Sequence, residues 1–160
     1  MPFVTLDENA ESELFRLYRY YWREAKRCRS ATAYLAGCVM LGSALEALLL
    51  LIVNVYPAEA EATGCVPHWR GKPKPLLKWS LQDLLAVAKC AGWLPSALKV
   101  GADEWSEGRA KVGDYAEITR MIRNLAHPAR YHVDHSRKRV TEPPRVPWRL
   151  VGLSHAGMVA

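Results

Sequence analysis

From Val39 to Val55 the chain reads Val-Met-Leu-Gly-Ser-Ala-Leu-Glu-Ala-Leu-Leu-Leu-Leu-Ile-Val-Asn-Val, and no other stretch restricts the fold so tightly. The pattern predicts a helix from about Ala31 to Val55 that is apolar nearly all round, with Pro57 ending it. Such a helix has to be covered on several sides, by its own fold or by a partner chain. The run is almost long enough to span a bilayer, but Glu46 lies near its middle and Gly42 and Ser43 dilute it. A carboxylate at the bilayer centre costs roughly 2.5–3.5 kcal/mol on insertion scales. A helical bundle takes the same run without that cost, so the expectation is a core helix and no membrane partner.

The flanking segments supply the rest of a bundle. Asp7 is placed to cap a first helix and Glu8 to favour its positive end. Leu14, Leu17, Tyr18, Tyr21 and Trp22 then recur at three- and four-residue steps. Arg16, Arg19, Arg23, Lys26, Arg27 and Arg29 fill the remaining positions, as a solvated face or an RNA contact. Residues 57–78 form a connection punctuated by Pro57, Gly64, Pro67, Gly71, Pro73 and Pro75. In it Arg70, Lys72, Lys74 and Lys78 lie near Trp69 and Trp79, a mixture that holds single-stranded RNA by charge and stacking. The competing reading is a solvated loop whose tryptophans fold back onto the bundle. Ser80 caps a third helix with Leu81, Leu84, Leu85, Ala88 and Cys90–Ala91 on its apolar side, ending at Gly92. A loop with Gly101, Gly108 and Gly113 leads to Asp114, read as the cap of a last helix that Pro128 closes. After Tyr131, Arg137, Lys138, Arg139, Arg145 and Arg149 alternate with Pro143, Pro144 and Pro147, while Val146, Trp148, Leu150, Val151 and Leu153 offer apolar contacts to an extended arm. The fold expected is therefore all-α: an antiparallel, up-down bundle of four to five helices with a long Pro/Gly loop and an irregular C-terminal arm. Residues 1–135 form the helical domain, and 136–160 a basic arm that either joins it or is flexible.

A chain of 160 residues suits one domain with a proper core, and 50% hydrophobic residues exclude a disordered tail. The formal charge of +6 favours an anionic partner such as nucleic acid. Cys28, Cys38, Cys65 and Cys90 make no CxxC pair. Cys38 and Cys90 sit in apolar helical patterns, where buried free thiols are expected. Cys65 and His68 have a ligand-like spacing without a second pair to complete a zinc site, and His132 and His135 are similarly isolated. The first thirty residues carry no apolar stretch of a signal peptide. These features read as a reduced, cytoplasmic protein without metal or cofactor.

The chemistry-bearing segment is Glu117-Ile-Thr-Arg-Met-Ile-Arg-Asn-Leu-Ala-His-Pro128. At about 100° per residue, Arg120, Asn124 and His127 share one stripe of a helix. Glu117 extends it back one turn and Arg123 flanks it. Ile118, Met121, Ile122 and Leu125 are expected on the opposite, core-facing side. The stripe holds a base, two guanidiniums and an amide, groups that handle protons and phosphate. Arg, Asn and His at a helix C-terminus also serve as plain caps for its carbonyls.

Six residues separate Arg120 from His127, and Asn124 stands three before the histidine. This resembles the HEPN superfamily, marked by an Arg, four to six residues, then a His near the end of a helix. Met121 stands where many catalytic members have a polar residue; Arg123–Asn124 has that polar neighbour but lies too close to His127. The run Gly42-Ser43-Ala44-Leu45-Glu46-Ala47-Leu48-Leu49 resembles the family's long second helix. Leu81-Gln82-Asp83-Leu84-Leu85 through Gly92-Trp93-Leu94 resembles a later one, so the likeness covers roughly residues 10–135. It implies a metal-independent endoribonuclease that pairs two motif helices across a homodimer cleft, in toxin–antitoxin or phage-defence systems, with an antitoxin protein as a further partner.

Cleavage by the 2′-hydroxyl needs a base, an acid for the leaving oxygen and positive charge at phosphorus. His127 suits either proton role, and Arg120 the developing charge. Asn124 is placed to hold the imidazole or a phosphate. Glu117 is expected to direct Arg120, with Glu46 doing the same from the second helix. The alternative is a non-catalytic helical module that binds RNA, a nucleotide or a protein.

Overall fold

The computed structural model describes Phe3, residues 5–97 and residues 108–127. Five helices pack together with a two-residue hairpin, an all-α bundle. Helix α1 (Glu8–Ser30) starts where Asp7 accepts the Ala10 N–H at 2.8 Å, with Glu8 and Glu11 in its first turn and Arg27 and Arg29 in its last. The chain reverses over residues 31–33, with Thr32 at φ 57°, so α2 (Tyr34–Val55) begins three residues later than the hydropathy run suggests and lies antiparallel to α1. Asn54 fastens the far end of this hairpin: its carbonyl accepts the Leu6 N–H at 2.7 Å and its amide donates to Glu11 at 3.1 Å.

Pro57 does not merely stop α2. It occupies the first turn of a short α3 (Pro57–Ala62), where the missing N–H is harmless and the fixed φ suits a helix. The connection that follows is more ordered than a Pro/Gly loop. Strands β1 (His68–Trp69) and β2 (Lys72–Pro73) pair antiparallel, His68 opposite Pro73, around Arg70 and Gly71, both at positive φ. A 3-10 turn (Leu76–Lys78) then leads to α4 (Leu81–Cys90). Ser80 and Asp83 form the reciprocal hydrogen bonds of a capping box there, and Gly92 at φ 76° lets the chain leave the helix. Helix α5 (Val112–Asn124) completes the described bundle.

The core joins Leu49, Leu50 and Val53 of α2 to Leu81, Leu84, Leu85, Val87 and Ala88 of α4 and to Ala116 of α5. Leu76 and Trp79 close it from the connection. Trp79 is 4% exposed, donates its indole N–H to Lys74 O at 2.9 Å and meets the Phe3 ring at 5.1 Å. Each fully buried leucine contributes about 1.5–3 kcal/mol of transfer free energy, so this layer of α2 and α4 dominates the stability. Helix α2 is long and apolar enough to cross a membrane by length and composition, and 44% of its most apolar window is buried. Leu41, Leu48, Leu51 and Ile52 stay half-buried and Val55 is exposed.

The cysteine reading, a reduced protein with a free thiol at Cys90, needs correction. Cys90 is not a buried free thiol: it lies exposed at the end of α4, disulfide-bonded to Cys65 across a Cα separation of 6.7 Å. The segment after α3 folds back over α4 and brings together residues 25 apart, a proximity that spacing alone does not reveal. Cys38 is buried and free as expected, and burial pushes its thiol up to about 11. Gly101, Pro128, His132, His135 and the arm from Tyr131 onward, including 136–160, lie outside the described residues.

Candidate functional site

The site is built on α5, and the start of that helix differs from expectation. The N-cap is Lys111, and Asp114 is the third helical residue. Its carboxylate reaches back to accept the Lys111 N–H at 2.8 Å, the Ala97 N–H at 3.0 Å and the Ser96 hydroxyl, and it is fully buried. Gly113 donates its N–H to Pro95 O at 2.8 Å. A Cβ there would stand 2.7 Å from Leu94 O and 2.8 Å from Pro95 O, so only glycine permits the approach. Together these contacts clamp the head of α5 to the turn after α4.

Gly113, Asp114, Ala116 and Thr119 form the buried face of α5. Arg123 lays its stem on Gly42, where a Cβ would meet Cδ of the arginine at 2.8 Å. Arg123 meets the α2 region near Gly42, and Ala116, two turns earlier, joins Leu49, Leu50 and Val53, so α5 runs antiparallel to α2. This overturns the expected orientation of the apolar side. Ile118, Ile122 and Leu125 are half-buried and Met121 is 42% exposed. The polar stripe flanks the packed face instead of opposing it.

The polar groups consequently pair inside the bundle. Glu117 accepts from Arg120 Nε at 2.7 Å and Nη2 at 2.5 Å, and from Lys89 Nζ at 3.0 Å. Burial alone would raise its carboxyl pKa, but the hydrogen bonds and charges of Lys89 and Arg120 outweigh this and hold it below the ordinary 4.5. The expected Glu117–Arg120 pair is therefore present. Glu46, however, binds Arg123 Nη1 at 2.5 Å and not Arg120. Lys89 was missed by the sequence reading; a lone cation in the last turn of α4 looks like an ordinary partner of the helix dipole.

The helix also ends earlier than expected, at Asn124. Leu125, Ala126 and His127 continue with N–H bonds to the carbonyls of Ile122, Arg123 and Asn124, the i+3 pattern of a 3-10 turn. In that geometry residues three apart eclipse, which sets His127 over Asn124. His127 is exposed, Asn124 half-buried, and no hydrogen bond joins either side chain to Arg120 or Arg123 among the described residues. The structure thus gathers two clusters, Glu117–Arg120–Lys89 and Glu46–Arg123, with an open imidazole one turn beyond.

The basic connection is separate from this site. Arg70 stacks over Trp69, 5.4 Å from the ring centroid, and Trp69 is 69% exposed, whereas Trp79 folds into the core. Lys72 and Lys78 are exposed, and Lys74 binds Asp83 at 3.3 Å. Among the described residues no group of three His, Cys, Asp or Glu is arranged to hold a metal ion. No family model matches the chain, and neither a curated protein nor a solved structure matches it.

Proposed function

We propose that this protein is a metal-independent endoribonuclease of the HEPN type, with His127 as the proton-transfer group and Arg120 as the phosphate-facing cation. The observation that carries the reading is the exposed His127, one 3-10 turn past a helix end whose arginines are held in direction by carboxylates. Arg120 uses Nε and Nη2 on Glu117, which leaves Nη1 for an oxyanion. One imidazole serves one proton transfer at a time, so a second copy of the chain supplies the other across a two-fold axis beside His127. The half-exposed Ile118, Met121, Ile122 and Leu125 supply apolar surface for that contact. Asn124 orients the imidazole or a phosphate. Activity of this kind fits a toxin–antitoxin or phage-defence role in the cytoplasm, with an antitoxin protein as the neutralising partner.

The test is incubation of wild type and His127→Ala with mixed RNA in EDTA, followed by analysis of the 3′ ends. Wild type yields 2′,3′-cyclic phosphate, and the variant loses about 10²-fold or more in rate. Undiminished cleavage by His127→Ala refutes the assignment.

A second reading rests on a specific observation: both guanidiniums already face carboxylates, with side chains only 20% and 28% exposed. A non-catalytic module binding RNA, a nucleotide or a protein partner fits that neutralisation. It gives salt-dependent binding without turnover, and binding that survives His127→Ala.

A further inference from the structure

Outside the α5 site, the face formed by α1 and α2 has features that neither the core nor the site uses. A groove of about 760 Å³ runs between the two helices, lined by Phe15, Leu48, Leu51, Ile52, Val55 and Tyr56, with Glu8 and Glu11 on its rim. Phe15 is 54% exposed and Val55 58%. Alongside it, α1 is polarised. Asp7, Glu8, Glu11 and Glu13 precede Arg16, while Arg19, Arg23, Lys26, Arg27 and Arg29 follow it, with Glu24 the one acid among them and paired to Arg27. The helix dipole explains acidic and basic ends only within the first and last turns. Arg19 and Arg23 stand about two to three turns before Ser30, so the dipole does not explain them.

Glu8, Glu11, Ser12, Phe15, Arg19, Trp22, Arg23 and Lys26 fall within about 60° of one direction on the helix surface. That stripe is self-complementary under a two-fold axis perpendicular to α1 at the level of Leu17. Glu8 then faces Lys26 of the partner subunit, Glu11 faces Arg23 of the partner subunit, and Phe15 lies under the stem of Arg19 of the partner subunit. Glu8, Arg19, Arg23 and Lys26 belong to no ion pair among the described residues, so their charges are available. With 22 residues in α2 and two helices side by side, the face measures about 33 Å by 20 Å, roughly 650 Å² per copy. Two such footprints total about 1,300 Å², a ceiling that leaves room for the roughly 1,000 Å² total that a specific interface needs.

We propose that a second copy of this chain covers the α1–α2 face, with the two α1 helices antiparallel and acidic halves set on basic halves. The surface is distinct from α5, so the inference stands whether or not the ribonuclease reading does.

Light scattering on the full chain after size exclusion tests this with two charge-reversal variants. Glu8→Lys/Glu11→Lys carries only positive charge along the stripe, and Arg23→Glu/Lys26→Glu only negative charge. Each alone self-associates through this face roughly a hundredfold or more weaker than wild type, and its mass halves. Mixed one to one, they recover the wild-type mass as a mixed assembly, which also shows that both are folded. A monomeric wild type, reversed variants that keep the wild-type mass, or a mixture that fails to recover it overturns the proposal. So does recovery of wild type on neutral phosphatidylcholine vesicles with no protein–protein assembly, because the face would then meet lipid.

Discussion

Replacing Glu117 with glutamine tests the internal electrostatics of the site. The wild-type carboxylate holds two cations, Arg120 through Nε and Nη2 and Lys89 through Nζ, with side-chain exposures of 16% for the acid and 20% and 28% for the bases. Hydrogen bonds to charged groups contribute about 1.5–3 kcal/mol each where they are protected from solvent. Glutamine retains one oxygen acceptor and brings an NH2 group towards two cations, so part of that stabilisation is lost and part is replaced by water. We expect Glu117→Gln to be less stable by about 1–2 kcal/mol at neutral pH, a fall in Tm of roughly 2–8 °C for a chain of this size. The pH dependence is more diagnostic than the magnitude. The folded carboxyl is depressed below its ordinary 4.5, so its stabilisation is complete above that value. It is lost as pH falls through the lower folded pKa, where the wild-type group takes up its proton. The gap between wild type and variant, measured by urea denaturation at a series of pH values, should therefore be widest near pH 7 and close on acidification. A gap that stays constant from neutrality into acid, or no gap at pH 7, would refute the reasoning.

Three further outcomes follow from other contacts. Gly113→Ala should lower the urea midpoint: alanine improves helix propensity by about 1 kcal/mol, but its Cβ meets two backbone oxygens, and overpacking of that kind costs about 1–3 kcal/mol. A midpoint equal to or above wild type would show that the clamp at the head of α5 is looser than the geometry states. Cys65→Ser should remove the cross-link over a separation of 25 residues, a loss of about 3 kcal/mol on the chain-entropy account, measured under non-reducing conditions. Unchanged stability would argue against that disulfide in the folded protein. At mildly alkaline pH, iodoacetamide should modify the partly exposed Cys28 well before Cys38, whose thiol is buried and titrates near 11; mass spectrometry of partly labelled protein reads the order directly, and equal rates would contradict the burial.

Where the sequence reading succeeded, the deciding interactions span three or four residues. Asp7 and Ser80 were legible as caps because the group they satisfy lies two or three positions ahead, and Gly92 as a terminator because its positive φ needs no distant partner. Glu117 and Arg120 were paired correctly for the same reason, one helical turn apart. Local rules failed where one residue type has two local uses. Proline ends one helix and opens the next at Pro57, and the carboxylate of Asp114 serves from the third helical position as well as from the cap. The motif helix was read too long because a 3-10 turn keeps the spacing of Asn124 and His127 in register while abandoning the α-helical bonds.

The all-α class, the approximate helices and the unusual apolar demand of α2 follow from the order of residues alone, since hydrophobic periodicity and capping act along the chain. Partner choice does not follow from it. Glu46 takes Arg123 instead of Arg120, Lys89 joins Glu117, Cys65 meets Cys90 and Asp114 holds the Ser96–Ala97 turn, each only once the helices have packed. The face that α5 turns inward was decided the same way. Gly42 receives the stem of Arg123 and Gly113 the backbone of Leu94 and Pro95, while Met121 is left exposed and Ile118 and Ile122 half-buried. Close packing is a property of two surfaces at once, so neither surface announces it separately.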